Sequence, residues 1–416
     1  MSLACLRQVP CAPPKLPGSK KLARLWRTQT VGVSAILWLR LPFAPFSAAF
    51  PVLGGGPMGK TKSQKHMTKE SNHNKNGRTY TLVALLTLAL AGMVVLSTGM
   101  GFIHISAGEV LRVIIDRVVG DTGLVAGLDP LFSYVVMDVR LPRILTAAIV
   151  GSGLAVCGVL FQGILLNPLA DPYTLGISSG AAFGASLALL ANITFLGVYS
   201  VPLFAFVGAI ATLIVVLYLS SFDGQMSANT LILSGVIVGA ILAAGISFMK
   251  YMADEQVAMI IYWLMGSFAS KTWTDVLIAL TAVTGGLGVA VFYGRDLNIM
   301  SLGGRSSDSL GVETAKVRKI LLITGSLVAA VCVSVSGIIG FIGLIVPHLM
   351  RFLIGPDNRR LAVVSALAGG VLLLCADTVT RAVLPVEVPI GVLTALIGGP
   401  FFCYIFRRRQ RGMIHG

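Results

Sequence analysis

Ile144 to Leu166 is a stretch of 23 residues without a charge, and two arginines, Arg140 and Arg143, stand directly before it. As a helix it reaches about 35 Å, enough to cross a hydrocarbon core of about 30 Å. An ordinary soluble domain has no use for such a span. The composition agrees: 12% of the chain is charged and 55% hydrophobic, where a soluble domain carries about 25% charge.

The net charge of +15 would suit a nucleic-acid binder if it were spread over the fold. It is not. Residues 1–79 hold 13 Lys and Arg against the single acid Glu70, which leaves 19 basic and 16 acidic residues, or +3, for residues 80–416. A basic leader rich in Pro, Asn and Ser reads as disordered, and beside a bilayer it favours the cytoplasmic side and anionic lipid. Nucleic acid is therefore not an expected partner. Gly54, Gly59, Lys60 and Thr61 match the phosphate-loop spacing GxxxxGK[ST], yet they lack the strand before and the helix after that such a loop needs. Lys20, Lys21, Arg24 and Arg27 before Val31–Leu39 imitate a signal peptide, but Arg40 and Pro42 interrupt it.

Beyond the leader, apolar segments recur at 80–103, 143–166, 174–191, 200–220, 228–250, 274–293, 318–337, 339–354, 361–380 and 389–406. The expected fold is thus an all-α membrane protein of about ten transmembrane helices, with the two segments flanking Gly337 also readable as one kinked helix. An even count puts both termini on one side. The basic clusters Arg295–Lys319, Arg359–Arg360 and Arg407–Arg411 then fall on the leader's side, and the positive-inside rule makes that side cytoplasmic. Residues 410–416 form a short cytoplasmic tail, and His104–Asp138 an external segment with a short surface helix around Val110–Ile115.

Cys157, Cys332, Cys375 and Cys403 lie singly in apolar segments without metal-ligand spacing, so neither a metal site nor a disulfide framework is expected. Gly151, Gly153, Gly158, Gly337, Gly340 and Gly343 suit close helix contacts. Asn167-Pro168 and Asp171-Pro172 break the chain after the second span into a shaped turn. No string of membrane carboxylates and histidines suggests an ion-driven relay, which disfavours an ATP-independent secondary transporter, and no nucleophile or metal arrangement suggests an enzyme.

Three ordered strings add to this reading: RLPRILTAAIVGSGLAVCGVLFQGILLNPLADPYTLGISSGAAFG from Arg140, GIIGFIGLIVPHLMR from Gly337 and VPIGVLTALIGGPFF from Val388. Together they resemble the FecCD-type permease family, which imports iron-siderophores, haem and cobalamin, and the likeness extends from about Tyr80 to Arg409. Because it begins near Tyr80, the expected translation start is Met58 or Met67, a point that the intact mass of the native protein tests.

The resemblance implies a type II ABC importer architecture in the cytoplasmic membrane. It implies a homodimer with a central cavity, two ATP-binding subunits that hold the ATP and Mg, an external substrate-binding protein, and no cofactor on this chain. Iron-siderophore is the cargo it favours, with haem and cobalamin as alternatives. Arg140, Arg143 and Arg381 match arginines that receive glutamates from the binding protein. Local pairing, of the first two with Asp138 and of Arg381 with Asp377, is the competing account.

The polar loop 294–319 should form short helices that couple to the ATPase, through Leu302, Gly303, Ser306, Ser309, Leu310 and Gly311. At Gly304-Arg305 the chain departs from the family pattern, where an acid usually follows the matching glycine. Ser227, Ala228, Asn229 and Thr230 resemble the inner gate region, and His348 is a further inner-face candidate.

Overall fold

Apolar, unbroken sequence satisfies its backbone internally, and in this chain it does so almost wholly as helix. A computed structural model describes residues 62–101, 103–120, 123, 127–221, 227–383 and 387–414. The phosphate-loop-like and signal-like stretches of the leader lie outside them. Among the described residues there are fifteen α-helices and no strand. In chain order they are α1 Lys62–Gly99, α2 Ala107–Val119, α3 Pro130–Tyr134, α4 Leu141–Ile164, α5 Ile177–Leu190, α6 Ser200–Ser220, α7 Ala228–Met252 and α8 Val257–Leu264. There follow α9 Trp273–Phe292, α10 Gly294–Met300, α11 Gly304–Ser309, α12 Thr314–Ser336, α13 Ile342–Ile354, α14 Asn358–Thr378 and α15 Ile390–Ile414.

Seven of these segments are long and apolar enough to cross a bilayer, and the apolar parts of α5, α13 and α15 are shorter. These ten coincide with the ten segments read from the sequence. α1 reaches back to Lys62, into the stretch read as leader; residues 62–76 contain neither Gly nor Pro to stop it. The segments flanking Gly337 are two helices rather than one kinked helix. Gly337 adopts φ +73, and its backbone lies so close to the Trp263 carbonyl that a Cβ would stand 2.4 Å from that oxygen.

α4 is the axis of the bundle, packed by α14, α9, α12 and α13, and its residues are buried nearly throughout. Small residues permit this. A Cβ on Gly158 would lie 1.8 Å from the Gly343 carbonyl of α13, and one on Gly151 would lie 2.4 Å from the Gly369 carbonyl of α14, so the backbones meet directly. α13 carries Pro347, which cannot donate to the Gly343 carbonyl. The buried Gln162 amide supplies the missing donor, at 3.3 Å to Gly343 and 3.2 Å to Leu344, while its oxygen accepts from Arg351 at 3.1 Å.

α2 is the expected surface helix. A reciprocal Ser106–Glu109 capping box starts it, and Val110 and Val113 turn inward against Val136 and Leu141.

Candidate functional site

α4 and α14 run side by side and define two ends of the bundle. At one end Asn298 of α10 donates to Asp357 Oδ1 at 2.9 Å and accepts from both the backbone and side-chain N–H of Asn358, each at 2.9 Å. Gly294 packs on Arg359, and Gly163 of α4 on Leu297. The loop 294–319, the start of α14 and the end of α4 therefore share this end.

Loop 294–319 folds as expected into short helices. Gly303 at φ +97 and Gly311 at φ +83 bracket α11, and Leu302 and Leu310 stand on either side of it, 63% and 60% exposed. Ser306 and Ser309 are exposed, with Ser309 Oγ donating to the Ser306 carbonyl at 2.8 Å. Ser307 is fully buried, and its hydroxyl lies 2.9 Å from the Ile299 carbonyl and 2.8 Å from that of Gly303, which pins α11 to α10. The result is a rigid corner with two apolar knobs.

The opposite end gathers Arg140, Arg143 and Arg381. Arg140 and Arg381 both sit in π-helical turns, Val135–Arg140 and Val379–Val383, which add a residue to the turn and swing the side chain off the register of the flanking helix. Each reaches the C-terminal carbonyls of α1. Arg140 donates to Thr98 at 2.7 Å, Gly99 at 3.3 Å and Ile103 at 2.6 Å; Arg381 donates to Met100 at 2.6 Å and Ser97 at 2.7 Å. The Ser97, Thr98 and Gly99 carbonyls have no partner within the helix and form the negative end of its dipole, so two guanidinium groups are well placed there, and Met100 and Ile103 of the following turn add to them.

Arg143 is held instead by acids. Its Nε and Nη2 lie 3.2 Å and 2.9 Å from Asp377 Oδ1, and Nη2 lies 2.5 Å from Glu387 Oε1. Asp377 is 1% exposed, whereas Glu387 is 47% exposed, so Arg143 has one permanent partner and one that water or another group can displace. Of the local pairs weighed from sequence, that of Arg381 with Asp377 forms as a long contact, while neither Arg140 nor Arg143 pairs with Asp138. Asp138 is exposed, and Asp377 takes Arg143 side-on while standing 4.0 Å from Arg381 Nε, because the π turn draws Arg381 toward α1.

Ser227 caps α7, its hydroxyl accepting from the Thr230 N–H at 3.1 Å and lying 2.7 Å from the Thr230 hydroxyl; Asn229 is exposed and Ala228 half-buried. His348 packs edge-on against Phe352 at 5.0 Å. Asn298, Ser307, Gln162 and Glu387 had no sequence signal of function. Gln162 could have been sought, since Pro347 leaves a carbonyl inside an apolar bundle in need of a donor.

A multi-pass bundle with a buried arginine cage at one end and a knobbed loop at the other finds its counterpart among transport proteins. The model of the FecCD transport family matches residues 85–408. An uncharacterized ABC transporter permease protein of Bacillus subtilis, YvrB, is 39% identical over 78% of this chain and 92% of its own length. The cobalamin import system permease protein BtuC of Halobacterium salinarum is 42% identical over 68% of this chain and 76% of its own. A solved inward-facing "metal-chelate type ABC transporter" superposes with a TM-score of 0.68, at 34% identity, over 79% of this chain and 99% of that one. The protein is a multi-pass membrane permease of the ABC-importer class. It belongs to the FecCD transport family.

Proposed function

We propose that this chain is the membrane-spanning subunit of a binding-protein-dependent ABC importer in the cytoplasmic membrane, with both termini cytoplasmic, and that its cargo is a metal chelate, an iron-siderophore. Two copies enclose the pathway. An external binding protein docks on the end carrying Arg140, Arg143 and Arg381, and two ATP-binding subunits, which hold the ATP and Mg, grip the loop 294–319. The metal is cargo, and this chain hydrolyses nothing.

The observation that carries this reading is α14, a rod of 21 residues, about 32 Å long. Asn298 of the knobbed loop holds its first turn, and Asp377 in its last turn holds Arg143. Closure of the ATPases on Leu302 and Leu310 moves α10 and α11, and Asn298 passes that movement to α14. At the far end the acids of a docked binding protein compete for Arg143 with Glu387, which stands three residues before α15. Docking and nucleotide thus bias one two-state bundle through contacts that differ between its states.

The exposed apolar faces of α7, with Leu233 and Ile241, and of α15, with Leu396 and Ile397, support burial against a second copy or lipid. The capped turn Ser227–Thr230 lies at the entry to α7, where the gate is assigned. The solved metal-chelate type relative supports the cargo class, while the BtuC relative favours cobalamin as the second reading, with haem as a third.

Reconstitution tests the assignment. Proteoliposomes holding the chain, its ATPase and its binding protein should take up a ferric siderophore only with ATP and with both partners present. Uptake at full rate without either partner would identify an ATP-independent transporter and overturn the proposal. Calorimetry of the binding protein against ferric siderophore, haem and cobalamin decides among the cargoes.

A further inference from the structure

A cavity of about 610 Å³ lies beside α8, at the arginine end of the bundle. It shares Tyr262 and Ser267 with the small cleft that Arg143, Asp377 and Glu387 line. Its wall is chemically one-sided. Met259, Trp263 and Val201 supply apolar surface, Ser270 a hydroxyl and Lys271 a cation; among the described residues no acidic side chain lines it.

Lys271 is held there by a built turn. The Ser267 N–H donates to the Ser336 carbonyl at 2.8 Å, Ser267 Oγ accepts from the Ala269 N–H at 3.1 Å, and Ser270 takes φ +55, a left-handed conformation uncommon for serine. The nearest acid in sequence, Asp275, is already committed: its carboxylate accepts from the backbone and hydroxyl of Thr272, each at 2.8 Å, in the capping box that starts α9. Among the described residues no hydrogen bond or ion pair holds the Lys271 ammonium. Burial pushes it below its ordinary lysine range, with Asp275 pulling weakly the other way. A half-buried ammonium that lines a cavity over an apolar floor, with no hydrogen bond or close ion pair, can accept an anionic partner there.

We propose that this cavity is a binding site for an anionic oxygen group, a carboxylate or phosphate on a partly apolar ligand, with Lys271 as its counter-ion, Ser270 as a second donor and the Trp263 ring against the apolar part. This goes beyond the transport reading and does not depend on it. Two sources carry such a group at a membrane surface, a solute from water and an anionic lipid headgroup.

Trp263 makes the site observable. The full chain in phosphatidylcholine nanodiscs is titrated with citrate, and separately prepared in discs with added phosphatidylglycerol, while tryptophan fluorescence is followed. The site predicts a saturable change with one or both anions and none with glycerol. Lys271→Met should weaken it by about tenfold, the loss of one charge-assisted contact, whereas Lys271→Arg keeps it and Trp263→Phe removes the signal. A response to citrate assigns the site to a solute, and a response to phosphatidylglycerol alone assigns it to a lipid headgroup. If Lys271→Met does not elute as folded protein, Lys271→Gln makes the same comparison. No saturable response to either anion, or equal affinity in the wild type and the neutral variant, overturns the proposal.

Discussion

The two ends of α14 solve the problem of charge near a membrane in opposite ways. At the arginine end three guanidinium groups are nearly buried, and each finds carbonyls of α1 or carboxylates of α14 and its neighbouring turn. At the other end the tip of the loop keeps its charge in water, where the Lys316–Glu313 pair is 3.7 Å long and exposed, and two exposed leucines are presented instead. The difference teaches what each surface can recognise. A desolvated cage with one exchangeable acid, Glu387, suits the carboxylates of a partner, whereas a solvated loop tip with two apolar knobs suits a groove.

The comparison breaks first at Asp377. Asp377→Ala leaves two buried arginines short of their acid and should cost about 3–5 kcal/mol, read as a lowered unfolding temperature in detergent. A loss as small as that of an exposed pair would mean that the cage is solvated after all. Next in size, Arg143→Gln should weaken docking of the binding protein by about tenfold, while Glu387→Gln, which removes the internal competitor, should strengthen it. Affinities unchanged at low salt in both variants would dissociate docking from this cage. At the solvated end the effect on stability should nearly vanish. Leu310→Glu should alter stability by about 0.5 kcal/mol or less yet lower transport-coupled ATP hydrolysis, and normal coupling would move the contact elsewhere.

How much of this was legible follows from the physics of each feature. The ten spans were, because an uncharged run that must satisfy its own backbone has few options but helix. The shaped turn after the second span was too: Asp171 accepts from the N–H groups of Tyr173 and Thr174 at 3.0 Å and 2.9 Å, as Asx-Pro predicts. The grouping of Arg140, Arg143 and Arg381 came from their shared end of the bundle and from family likeness. Their closest partners did not. Spacing suggested that Asp377 serves Arg381 four residues on, and it does at 4.0 Å, but the π turn lengthens that pair and the acid's close partner is Arg143, 234 residues away in sequence. Asn298 was invisible for the same reason: its value lies in the turn it meets, Asp357–Asn358, and an asparagine in a polar loop carries no mark of that.

Asn298 also offers the sharpest test, since its side chain is spent on Asp357 and Asn358 and so joins the knobbed loop to α14. The measurement is binding-protein stimulation of ATP hydrolysis by the reconstituted complex carrying Asn298→Ala, alongside the affinity of the variant for each partner. If α14 links the two ends, both affinities stay at their wild-type values while stimulation falls. Full stimulation with both affinities intact would contradict the account.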